Sequence, residues 1–103
     1  MKNYGDSYIE IKIGYNPIKN LFAINHKVFY KEGIVETNTS TDNREMVYSD
    51  VVNLLVKETN LKVKSEFELD KNLKLMKCTL ENIIQNHNKQ IETIERIKQE
   101  QNR

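Results

Sequence analysis

Two histidines, one cysteine and a scatter of lysines and carboxylates are the residues of this 103-residue chain that could do chemistry. Their spacing supports little of it. His26 stands in an alternating run (Phe22, Ile24, His26, Val28, Tyr30), where a core-edge histidine with one satisfied nitrogen accounts for it better than a ligand or pH sensor. His87 falls between Ile84 and Ile91 on a helical stripe. A polar residue there can set the register of a helix pair. Two His and one Cys, without CxxC, HExxH or a close carboxylate, do not form a zinc site. Cys78 has no base nearby in sequence to make it a nucleophile, and reads as a small buried hydrophobe. Asp42 and Glu45 have the spacing of a helix capping box, which explains the pair without catalysis. Gly5, Gly14 and Gly33 are isolated, so no phosphate-cradling loop is present. The expectation is a protein without catalytic residues, metal or cofactor.

Binding is the alternative to catalysis. Lys12, Lys27, Lys62 and Lys64 fall on the outward faces of expected strands, where they would form a basic stripe if the strands are neighbours. Tyr4, Tyr8 or Tyr15 nearby could then stack a base. Glu10, Glu66 and Glu68 share those faces, however, and a solvated surface of mixed charge is the plainer expectation. Asn43 and Arg44, in the polar 38–46 stretch, are further contact candidates.

These side chains must be positioned by regular elements, for three Gly and one Pro leave few interruptions. Ile9, Ile11 and Ile13 alternate with Glu10 and Lys12, the period of a half-buried strand. Asn16-Pro17 ends it, and 21–30 alternates as a second strand in preference to a helix begun at Pro17. Lys31-Glu32-Gly33 offers a hairpin turn of two or three residues, and Ile34, Val35, Thr37 and Thr39 return as a third strand. Residues 38–43 read as a loop, and Asp42 as the cap of a helix carrying Val47, Tyr48, Val51, Leu54 and Leu55 on one face. Ser49, Asp50, Asn53 and Lys57 lie opposite, and Asn60 closes the helix.

The 61–69 segment alternates cleanly, with Leu61, Val63, Ser65, Phe67 and Leu69 inward. For 73–78 a partner strand is favoured over an early helix start, because Leu75 would fall on the polar side of that helix. From Thr79, as N-cap, the 79–103 segment is a long amphipathic helix with Leu80, Ile83, Ile84, His87, Ile91, Ile94 and Ile97 at three-four spacing. The expected fold is a single α+β domain over 1–103: a small antiparallel sheet, order β-β-β-α-β-β-α along the chain, packed by one short helix and the long C-terminal one. That helix outruns a domain of this size, so Ile84, His87, Ile91 and Ile94 are expected to pair with a second copy. Lys89, Glu92, Glu95, Arg96 and Lys98 would flank the seam.

Sixteen basic residues against fifteen acidic give a net charge of +1, which predicts no long-range steering to nucleic acid or an anionic membrane. A lone cysteine, no apolar leader after Met1 and no run of membrane-spanning length point to a cytoplasmic protein. Asn, Lys and Ile, at 13, 13 and 11 residues, have AT-rich codons, an association with low-GC bacteria and their phages or plasmids. The functional expectation is a non-enzymatic, homodimeric protein that binds and inhibits a partner protein of a host or mobile element. A dimeric nucleic-acid-binding accessory protein is the alternative, and a virion or conjugation assembly protein a further one.

Overall fold

A computed structural model describes residues 6–101. Three strands come first: β1 (Tyr8–Asn16), β2 (Leu21–Tyr30) and β3 (Gly33–Thr41). Helix α1 (Arg44–Lys57), strand β4 (Val63–Glu68) and, after a 3-10 turn at Lys71–Leu73, helix α2 (Lys74–Gln101) complete the α+β fold. The sheet order is β3-β2-β1-β4. β1 pairs antiparallel with β2 and β2 with β3, whereas β4 lies parallel to β1, so the sheet is mixed rather than antiparallel. The cause is α1, a crossover that carries the chain back to lay β4 alongside β1 in the same direction.

Alternation along the strands decides what is buried. Ile9, Ile11, Ile13, Phe22, Ile24, Val28 and Val63 all face the helices, and join Val47, Val51 and Leu55 of α1 and Met76, Leu80 and Ile84 of α2 in one core. The opposite face of the sheet carries no helix, and the residues on it are mostly polar, small or aromatic, with Ile34 an exposed aliphatic among them.

The turns differ in chemistry. Between β1 and β2, the Asn16 side chain accepts from the Ile18 and Lys19 amides, and Asn20 takes the left-handed conformation at φ 54°. Tyr15 Oη donates to Asn20 Oδ1 at 2.6 Å and pins that loop. The β2–β3 turn has two residues, Lys31 and Glu32, since Tyr30 pairs with Gly33.

Several local expectations are corrected. Residues 38–41 belong to β3 and not to a loop. Asn43, not Asp42, caps α1 by accepting from the Glu45 amide at 2.9 Å, and Glu58, not Asn60, closes it. The proposed strand at 73–78 is the first part of α2, which starts at Lys74 and not after a Thr79 cap. Leu73, Met76 and Leu80 are buried on one stripe, and Leu75 is left 81% exposed. A strand would put Leu73 and Met76 on opposite faces, whereas the helix aligns both with Leu80 at the cost of one exposed leucine. Cys78, on the same helix, is exposed rather than buried.

Candidate interaction surfaces

The two edges of the sheet are built differently. The Ile9 amide donates to the Lys62 carbonyl at 2.9 Å, which fixes the direction of every backbone group across the register. On β4, the N–H and C=O of Val63 therefore point away from β1, toward the edge. Asn88 of α2 takes both: its Oδ1 accepts from Val63 N at 2.8 Å, and its Nδ2 donates to Val63 O at 2.9 Å. One turn of the same helix supplies His87, whose Nε2–H donates to the Leu61 carbonyl at 2.7 Å. A pair of side chains thus stands where the start of a fifth strand would lie.

β3 receives no such cover. By the same alternation, Val35, Thr37 and Thr39 exchange backbone bonds with Val28, His26 and Ile24, and the amides and carbonyls of Ile34, Glu36, Asn38 and Ser40 face outward. No described backbone group pairs with them. Both faces of the first half of the strand are open as well, for Ile34 is 61% and Val35 54% exposed, whereas Thr41 at its end is buried. The usual devices against edge pairing (Lys, Pro, a bulge) are missing, and the only charge on the strand is Glu36. Asn25 Nδ2 donates to Glu36 Oε2 and Asn38 Oδ1, each at 2.7 Å, which holds those two side chains down on the sheet.

The uncovered face presents Tyr8, Glu10, Lys12, Asn25, Lys27, Phe29, Glu36, Lys64 and Glu66. Of the lysines expected to form a stripe, Lys12, Lys27 and Lys64 are on this face, but acids interrupt them. Across the strands the order is Glu36, Lys27, Glu10, Lys64, each registered beside the next. Lys12 Nζ reaches Glu68 at 3.2 Å, and that carboxylate raises the ammonium above its ordinary pKa. Lys62 leaves the face altogether and lies 3.4 Å from Glu95 of α2. Tyr8 and Phe29 stack at 4.6 Å and 12°, using one another's rings. Tyr15 packs on Phe22 on the core side of the sheet, and Tyr4 is outside the described residues. Asn43 is engaged in its cap, and Arg44 is exposed at the first turn of α1.

His26 is held by a residue that helical periodicity assigns to the wrong side. Asp50 of α1 faces the sheet, with its Oδ2 2.7 Å from His26 Nε2. Both atoms are buried, and although they approach this closely their alignment is not that of a hydrogen bond. Burial pushes the His26 pKa below its ordinary value, and the Asp50 carboxylate works against that shift. The net effect favours the neutral form of a ring packed against a carboxylate.

The four residues expected at a dimer seam divide. Ile84 and Ile91 are 3% and 5% exposed and belong to the protomer's own interior. The His87 ring is engaged with Leu61, and Ile94, 48% exposed, is the one that remains open. Among the described residues no three His, Cys, Asp or Glu side chains come together as a metal site, and no helix is long and apolar enough to cross a membrane. No protein-family model matches the chain, nor does any curated protein or solved structure.

Proposed function

We propose that this protein binds a partner protein by strand addition along β3, and that it acts by occupying or tethering that partner rather than by catalysis. The observation that carries this reading is the outer edge of β3. It is a nine-residue strand, rich in threonine, with a free row of backbone donors and acceptors, in a sheet whose opposite edge is partly closed by Asn88 and His87. An extended segment laid against it would gain main-chain hydrogen bonds at Ile34, Glu36, Asn38 and Ser40. Selectivity would come from alternate side chains above and below. The inhibitory role expected from the sequence is one way such occupancy would act.

The alternating charges of the uncovered face favour protein over nucleic acid. A phosphate backbone is held by basic residues that neutralise its charge, and here Glu10, Glu36 and Glu66 adjoin the lysines and offset theirs.

The test is Asn38→Pro. Its lost N–H lies on the outer edge and not in the β2–β3 ladder, and edge strands tolerate proline there. Affinity capture with the wild-type chain should yield a stoichiometric protein partner that resists nuclease. The folded Asn38→Pro variant should lose it. Undiminished capture by the variant, or recovery of nucleic acid alone, would overturn the reading.

A further inference from the structure

α2 outruns the domain that it packs on. Its last buried side chain is Ile91, and residues 92–100 are exposed throughout, so the helix projects by roughly 15 Å at 1.5 Å per residue. This projection accounts for an overall shape of 56 × 30 × 24 Å. It is not polar all round: Ile94 and Ile97 are 48% and 46% exposed on one side of it. They continue a stripe through Ile83, His87 and Gln90 at alternating four- and three-residue steps, the spacing of a helix-pairing seam. That stripe is rotated away from the Leu80–Ile84–Ile91 line facing the sheet.

Beside the first half of the stripe, α1 and α2 enclose a groove of about 420 Å³. Val52, Val56, Ile83 and Gln90 line it, and no charged residue does. Val56 is 69% exposed within it.

We propose that two copies of this chain associate through α2 in antiparallel orientation, each projecting end lying in the other copy's α1–α2 groove. With Ile94 of one copy facing Ile83 of the other, Ile97 falls one turn further along, opposite Leu80, and His87 meets Gln90 of the other copy at the end of the groove that carries Val56. The ridge and the groove belong to the same chain, both are uncharged, and a single two-fold axis satisfies both at once. This self-complementarity is what an isologous dimer requires and an unrelated partner would not explain. Glu92 and Arg96 lie around the helix from the stripe, Glu95 is turned to Lys62 at 3.4 Å, and Lys98, one turn on from Ile94, borders the contact with a stem long enough to keep its charge in water.

The association is separate from strand addition at β3, and the two fail independently. Sedimentation velocity on the full chain should show a concentration-dependent dimer. Ile94→Glu and Val56→Glu both change exposed residues and should stay folded by circular dichroism while weakening the dimer at least tenfold. Asn38→Pro should leave it intact. Orientation is read by cysteine cross-linking in a Cys78→Ser background. Ile83→Cys and Ile94→Cys should cross-link with each other when mixed. Neither should link to itself, because like positions stand roughly 16 Å apart in this register, against the less than about 7 Å that a disulfide spans. A monomer at 100 μM-scale concentration, a dimer indifferent to Ile94→Glu, a dimer lost in Asn38→Pro, or self-linking of Ile94→Cys would each overturn the proposal.

Discussion

Replacing Asn88 by alanine is the sharpest test of how the β4 edge is held. The amide of Asn88 is the partner of both the Val63 N–H and the Val63 C=O, at 2.8 and 2.9 Å, and Val63 is 2% exposed. Alanine removes two hydrogen bonds and provides no substitute for either. A buried backbone group left without a partner costs about 1–3 kcal/mol. Asn88 is itself only half-buried, so water can enter the vacated space and the lower part of that range applies to each group. The loss should be about 2–4 kcal/mol, a large part of the 5–15 kcal/mol typical of a domain. At roughly 5 °C per kcal/mol for a chain of this size, the melting temperature should fall by about 10–20 °C.

Asparagine-to-alanine also improves helix propensity by several tenths of a kcal/mol. Exposed Asn82→Ala on the same helix measures that gain, and should come out neutral or slightly stabilising. Urea unfolding of both variants against wild type isolates the edge contribution. An Asn88→Ala variant melting within about 2 °C of Asn82→Ala would show that the two bonds to Val63 contribute nothing net, and the account of this edge would be wrong.

The His26–Asp50 contact makes stability depend on pH. Because burial holds the folded-state pKa of His26 below the ordinary 6.5, the imidazole is neutral in both states above that value, and the full contribution is present there. As pH falls below about 6.5 the unfolded chain takes up a proton that the folded one resists, so the urea midpoint should decline from pH 7 toward 5. His26→Gln should flatten that decline, and an unchanged slope would remove His26 as its source. Truncation distinguishes the two halves of α2. A chain ending at Thr93 should remain folded by circular dichroism and become monomeric, whereas one ending at Asn88 loses buried Ile91 and should be less stable by about 1.5–3 kcal/mol in urea.

The sequence is legible wherever one face of an element is core and the other water. β1, β2 and β4 announce themselves through Ile9-Ile11-Ile13, Phe22-Ile24-Val28 and Val63-Phe67, and the structure buries or half-buries all of these. It is silent where that contrast is missing. The end of β3, Asn38-Thr39-Ser40-Thr41, looks like loop because an edge strand with no helix above most of it has no need of alternating apolar residues. Leu75 misleads for the opposite reason: an exposed apolar residue imitates the alternation of a strand at Leu73-Leu75. Asp50 is unreadable as an inward residue since a helical wheel assigns carboxylates to solvent, and only the register that places His26 beneath it reveals the pairing. Asn88 is hidden in the same way, a polar residue beside an apolar stripe whose partner is a backbone 25 positions away.

The length of α2 connects the two surfaces. A helix that ended at Ile91 would cover the core and close the start of the β4 edge through His87 and Asn88, which is all that the protomer requires. The further residues serve nothing within the described protomer except the Lys62–Glu95 contact, an ion pair with a half-exposed carboxylate, of the kind that contributes at most about 1 kcal/mol. An extension that retains two isoleucines on one side is therefore better explained by a surface outside the protomer. Pairing through α2 lies on the helical side of the sheet, while the β3 edge is at the margin farthest from β4. The two-fold dimer proposed above would leave both β3 edges free. It would present them to a partner as a divalent ligand, with the gain in apparent affinity that two linked sites give when the geometry lets both engage.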